Sequence, residues 1–305
     1  MTKKGYISQV IKYESIIKAM KNRRGPDSYF SKILLQLNNK LGGYNYFLNI
    51  DEFIKKLNII LIGVDSRHTW GRKRGKQNNK KTGVAMVATK DQNFSKFFSK
   101  EEIIKYDKYY CSEARRAISE FIEQAAEKYK KENENKESPK SVIIYRQGIA
   151  HNQLNKIKLE VYLIEKICKK LNLLSYYVLV NTRSTIKFFE YNIIKTNNNE
   201  YKNPEQGLII LDQITNIKRF EFYLQPQKVT LGSATPTYFH AAYGNMNFPE
   251  LLIQLTYWTT YKYSNWQNAV RVPHVMKMAE KLANMTAKFT QSQINENLND
   301  KQSFL

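Results

Sequence analysis

The sequence predicts an α/β fold built on one mixed sheet, and three observations carry that expectation. Two apolar runs, NIILIGVDS at 58–66 and SVIIYRQ at 141–147, have the near-continuous hydrophobicity of strands covered on both faces. A stretch from about Ser112 places Ile118, Phe121, Ile122 and Ala125 at helical spacing, and a second helical pattern at 152–171 leads into LLSYYVLV at 173–180. The chain has 305 residues and is 42% hydrophobic, enough for one large domain or two modest ones.

Taken in order, residues 6–10 suit a short strand, and Asp27 or Ser28 would cap a helix with Tyr29, Phe30, Ile33, Leu34 and Leu37 on one face. That helix should stop at Gly42-Gly43, and the strand at 58–66 then ends in Asp65. A basic loop, RHTWGRKRGKQNNKK, separates it from GVAMVATK (83–90) and NFSKFFSK (93–100), which read as antiparallel hairpin partners. The long helix from Ser112 decays into KYKKENENKESPK, a charge-dense loop expected to be solvated and mobile. Val142 to Tyr145 form a buried strand that delivers Arg146 and Gln147 to the sheet edge before a turn at Gly148, and ligands commonly sit at such strand ends. Short strands recur at GLIILD (207–212), FEFYLQ (220–225) and TYFHAAYG (237–244), followed by helices near 248–262 and 274–290. Phe304 and Leu305 end a polar tail and are expected to tuck back onto the body. This order of strand, hairpin, helix, strand, helix and strand suits a mixed sheet of the ribonuclease H type, flanked by helices.

Composition narrows the function class. Lys and Arg outnumber Asp and Glu by 49 to 27, a net charge of +22, which points to a polyanion such as nucleic acid or an acidic membrane surface. A lineage rich in Lys, Asn and Ile would give the same balance with no such task. No run approaches the roughly 18 apolar residues of a membrane span, the first residues lack a signal-peptide core, and an intracellular location, cytoplasmic or nuclear, is expected. Cys111 and Cys168 have no metal-type spacing, so neither a disulfide scaffold nor a zinc site is indicated.

Several ordered motifs then point to one family. KILLQLNNKLGG, LIGVDSRH, VIIYRQGI, NPEQGLIILDQIT, EFYLQPQKVTLGSATPTYF, LTYWTTYKYSNWQNAVRVP and KMAEKLA run through nearly the whole chain. With them the chain resembles the PIWI region of Argonaute/Piwi proteins, the Piwi branch in particular. The resemblance implies the end of a MID domain at 1–45 and a PIWI domain at 46–305. It also implies a ribonuclease H-like sheet that holds a small guide RNA and its paired target, with an acidic cluster to cut the target. Two divalent ions at a scissile phosphate need several carboxylates, because hard cations take oxygen ligands.

Carried over motif by motif, the first acid is Asp65 and the second falls at Glu113, where the surrounding residues match poorly. The third belongs to a YRDG motif, and here that place is Gln147. An amide offers a neutral oxygen but not the charge that holds the ion, so cutting should fall steeply. The fourth, usually histidine, maps to Glu280; Asp65 and Glu280 would be the ligands of any Mg²⁺ or Mn²⁺. His274 is no substitute, since six helical residues place it about 240° around the axis from Glu280; a helix-start or interface role suits it better. Gln9, Gln36 and Lys40 match the last three members of the family's set for the guide's 5′ end, and Leu305 would bring the terminal carboxylate there. Gln36 and Lys40, at i and i+4, share a helix face.

For the nucleic-acid backbone the carried-over choices are Tyr263 and Arg271, with Arg67, Arg72 and Arg74 of the basic loop as weaker ones, a loop that could equally be solvated. The reading that follows is a monomeric guide-RNA-binding protein of RNA silencing without efficient slicing. Two others stay open: a weakened nuclease using Asp65, Glu113 and Glu280, and a truncated paralogue that docks tryptophan-containing protein partners.

Overall fold

The structure is a computed structural model that describes residues 4–22, 25–68, 81–105, 112–133, 138–147, 149, 154–191, 201–216, 218–287 and 294–304. Among these, seven helices follow the chain as α1 (Tyr13–Met20), α2 (Asp27–Lys40), α3 (Glu52–Lys56), α4 (Ser112–Glu132), α5 (Leu154–Lys170), α6 (Pro249–Thr259) and α7 (His274–Met285). The strands are β1 (Ile59–His68), β2 (Lys81–Thr89), β3 (Phe97–Lys105), β4 (Ser141–Gln147), β5 (Leu174–Asn181), β6 (Glu190–Tyr191), β7 (Tyr201–Lys202), β8 (Leu208–Ile210), β9 (Phe220–Gln225) and β10 (Thr237–Gly244). Eight of them form one sheet in the order β3-β2-β1-β4-β5-β10-β9-β8, while β6 and β7 pair separately. Only β1 with β4 and β4 with β5 run parallel in that sheet.

The continuous apolar run of β1 is explained by its two covered faces. Successive side chains alternate across a sheet, so Ile60, Ile62 and Val64 meet Ile118, Phe121 and Ile122 of α4 and Ile164 of α5. Ile59 and Leu61 turn the other way, into a core with Leu252 and Leu255 of α6 and Met276 and Leu282 of α7. Gly63 makes the second packing possible. A Cβ there would lie 2.3 Å from the Val275 carbonyl oxygen, so α7 can press onto β1 only where the side chain is a hydrogen.

Several expectations are corrected. Residues 6–10 form no strand, and α2 begins at Asp27 after Pro26 with no side-chain cap. Phe30 and Leu34 of α2 are exposed, so that apolar stripe is not the buried face. β1 runs on past Asp65 to His68, because β2 continues to pair with it after β4 has ended. Residues 93–96 belong to the turn before β3, where Asp91 Oδ1 accepts from the Ser95 and Lys96 amides at 2.7 Å each. α4 continues to Glu132 with Tyr129 fully buried, so the first part of the supposed charged loop is helix. β8 is shorter than GLIILD, and the β6–β7 hairpin was not foreseen. Past Thr259 the chain tightens into a 3-10 turn, Thr260–Lys262. Phe304 is buried in the core as expected, whereas Leu305, Gly148, Arg72 and Arg74 lie outside the described residues.

Candidate nucleic-acid cleft

The cleft opens where the parallel strands β1, β4 and β5 end. Pairing of β1 with β4 reaches Val64–Arg146, so Asp65 and Gln147 are the next residues on each strand. Alternation settles where each side chain goes. Gln147 has the parity of Ile143 and Tyr145, and Asp65 that of Ile59 and Leu61, so both share the face covered by α7. Arg146 has the opposite parity and goes beneath the sheet. There its Nε lies 3.4 Å from Glu160 Oε1 of α5, with both side chains essentially without solvent exposure. The Tyr177 hydroxyl donates to the same Glu160 oxygen at 2.5 Å, and Arg146 Nη1 donates to the Gln147 carbonyl. Arg146 therefore anchors the strand end from beneath, while Gln147 faces the cleft.

Close packing at Gly63 carries α7 over β1, and Glu280 arrives one turn and a little beyond. Two adjoining recesses of about 360 and 430 Å³ share Arg67, Gln147, Thr182 and Arg183; the first adds Arg271, Lys277 and Glu280, the second Asp65 and Ser66. Arg67 lies between the acids: its Nε is 3.0 Å from Asp65 Oδ2 and its Nη2 3.5 Å from Glu280 Oε1. Lys277 Nζ takes the other Glu280 oxygen, Oε2, at 2.8 Å. Burial pushes the Asp65 carboxyl up from the ordinary range, and the guanidiniums of Arg67 and Arg146 oppose that push.

These residues do not fit a divalent ion as they stand. The described residues contain no group of three or more His, Cys, Asp or Glu side chains placed to share a metal. The two carboxylates present are each paired to a cation, and Gln147 brings no charge. The backbone of Glu113 is in the first turn of α4, but its side chain lies outside what is described.

A second polar group lies at α2. Gln9 Nε2 donates to Gln36 Oε1 at 3.1 Å, and Lys40 Nζ donates to the Ser8 carbonyl at 2.9 Å. The three residues singled out from the sequence thus share one place in the fold. Lys40 is only 5% exposed, and burial lowers its pKa.

The family model of the Piwi domain matches residues 1–291. The chain belongs to the Piwi-domain family. It is 29% identical over 307 residues to Protein argonaute-3 of Drosophila melanogaster, covering 98% of this chain and 32% of that protein. It is 27% identical over 298 residues to Protein piwi of the same organism, covering 93% and 32%. The chain thus spans about a third of the length of the relatives it matches. Among solved structures, Drosophila Piwi superposes with a TM-score of 0.74 at 27% identity over 95% of this chain and 37% of that one. Kluyveromyces polysporus Argonaute with a guide RNA gives 0.74 at 18% over 91% and 36%, a likeness of fold. The mixed sheet is the ribonuclease H-like sheet expected from the order of elements.

Within this Piwi domain the backbone-contact candidates divide. Arg271 lines the cleft, its Nη2 donating to the Thr182 carbonyl at 2.5 Å, and burial lowers its pKa. Tyr263 does not: it is 4% exposed, part of the core between α6 and α7, and burial raises its phenol to about 12. His274 is fully buried against the Thr259 carbonyl at 3.1 Å, with burial lowering its pKa to about 3, a helix-start role as expected. Lys277, Arg183 and Thr182 were missed. Lys277 could have been found from its position three residues before Glu280 on a helix; Arg183 and Thr182 carry no such signal.

Proposed function

We propose that this Piwi domain holds a small guide RNA paired to its target and releases the target uncut. The observation that carries the reading is the cleft itself: Asp65 and Glu280 line two adjoining polar recesses that share Gln147, with an amide where a third carboxylate would be needed and Arg67 joining the two acids. Cationic side chains round its rim, Arg67, Arg183, Arg271 and Lys277, suit phosphate oxygens and carry no base information. Sequence is then read by pairing to the guide, with the protein responding to shape and backbone. The Gln9–Gln36–Lys40 group would take the guide's 5′ end, where Lys40 supplies the charge, in a MID-type segment over 1–45 preceding the PIWI portion at 46–305. Membership of a family that includes Argonaute and Piwi proteins, in a pathway of RNA silencing, supports the guide-binding part.

The test is a single-turnover assay with 5′-phosphorylated guide RNA and a fully complementary labelled target in Mg²⁺ and in Mn²⁺. The expected result is a stable ternary complex with no shortened product. A product cut at one position would overturn the non-slicing part and favour a weakened nuclease using Asp65, Glu113 and Glu280.

A further inference from the structure

Arg67 sits where the chemistry of the fold calls for a cation. We infer that its guanidinium replaces a divalent ion at the Asp65–Glu280 pair, so that the cleft takes the phosphodiester backbone of RNA without metal. The assignment rests on the guide-RNA reading above for its ligand, and on geometry for the cation.

A guanidinium is planar and presents its donors as a fork, which suits two carboxylates approaching from different elements. Arg67 uses that fork across the sheet and the helix: Nε to Asp65 Oδ2 at 3.0 Å on its own strand, Nη2 to Glu280 Oε1 at 3.5 Å on α7. Glu280 Oε2 is held by Lys277 at 2.8 Å, so both oxygens of that carboxylate face a cation already. Among the described residues, a metal arriving here would have to displace two side-chain cations and would gain one buried and one half-buried carboxylate. It would also meet like charge, since the lining has Arg67, Arg183, Arg271 and Lys277 against Asp65 and Glu280. A surplus of positive charge opposes a divalent cation and favours a phosphate. The Arg67 side chain is 31% exposed, so its guanidinium still meets solvent at the cleft while Nε and Nη2 face the carboxylates, and a phosphate oxygen can approach it from that side.

The arrangement carries a consequence that Gln147 alone does not. Restoring a carboxylate at position 147 adds one negative charge but leaves the fork in place. Two changes are needed to make a metal site, one at Gln147 and one at Arg67.

The experiment compares four proteins: the unaltered chain, Gln147→Asp, Arg67→Ala and the double variant, with Arg67→Gln as a second removal of charge in case the alanine variant folds poorly. Mn²⁺ binding is followed by the loss of the free-ion electron paramagnetic resonance signal, and RNA binding is measured in EDTA and in Mn²⁺. The double variant is expected to bind Mn²⁺ at least about tenfold tighter than Gln147→Asp, a factor in the range that altered ligand surroundings produce. RNA binding by the unaltered chain is expected to be the same with and without metal. Arg67→Ala should weaken that binding severalfold and lower the salt dependence by about one phosphate contact. The inference is overturned if Gln147→Asp binds Mn²⁺ as tightly as the double variant, or if EDTA abolishes RNA binding by the unaltered chain. Failure of every protein to bind RNA would refute the guide-RNA reading, and the Mn²⁺ titration would still decide the role of Arg67.

Discussion

Removing Glu160 should cost this fold more than any other single change near the cleft. Arg146 and Glu160 are sealed between β4 and α5, with side-chain exposures of 0% and 1% and Nε 3.4 Å from Oε1. Glu160→Ala removes the ion-pair partner of a guanidinium that has no solvent exposure, and one acceptor of the Tyr177 hydroxyl at 2.5 Å. Breaking one partner of a buried pair typically costs about 3–5 kcal/mol. A loss of about 4 kcal/mol is therefore expected, a large share of the roughly 5–15 kcal/mol that holds a domain together. Arg146→Met with Glu160→Leu removes both charges and fills the same space, so it should fall within about 2 kcal/mol of the parent. Guanidinium chloride unfolding at pH 7 and 15 °C, followed by circular dichroism, measures both differences. A loss below about 1 kcal/mol for Glu160→Ala, or a double variant no more stable than Glu160→Ala, would overturn this expectation. Because Arg146 also donates to the Gln147 carbonyl, the same Glu160→Ala protein should bind RNA less tightly at temperatures where it is still folded.

Other consequences are as direct. Burial raises the Glu101 carboxyl from 4.5 to about 7, so the folded chain holds this proton more tightly than the unfolded one; stability from this group falls as pH rises between those values and is level above them. The full loss is at most about 3 kcal/mol, and urea unfolding from pH 5 to 8 should show Glu101→Gln free of it, since its amide oxygen can still accept from the Ile294 amide. Lys262 is buried over the Tyr46 and Phe47 rings, donates to Ser95 Oγ at 2.8 Å, and is lowered by burial to about 8. At pH 7 it holds a charge away from water, so Lys262→Met should gain about 2 kcal/mol, a gap that closes as pH rises from 8 towards 10.5. Lys40→Ala should weaken binding of 5′-phosphorylated RNA by about ten- to a hundredfold in a filter assay while leaving 5′-hydroxyl RNA nearly unchanged, as expected for one charge-assisted hydrogen bond.

Much of this fold is legible in one dimension because burial on two faces leaves a simple mark. Ile59 to Val64 and Val142 to Tyr145 read as central strands for that reason, and they are. Gln147 could be located from its motif alone, and alternation along β4 then fixes its direction once the strand is known. Arg146 and Gln147 both arrive at the strand end, but neighbours on a strand point to opposite faces, so only Gln147 faces the cleft. Tyr263 was carried over from the family resemblance as a backbone contact, and only the packing of α6 against α7 shows that it is core. The link from Arg67 to Glu280 could not be read at all, since it spans more than two hundred residues and depends on Gly63 admitting α7 to the sheet. Tertiary approach of that kind leaves no periodic trace.

Guided holding of a target that stays uncut is decided by equilibrium capture of labelled RNA, in Mg²⁺, by protein loaded with a 5′-phosphorylated guide. A complementary target should be retained intact and far more tightly than a scrambled one of equal length, and the difference should vanish without the guide. Equal retention of the two targets, with or without guide, would contradict it.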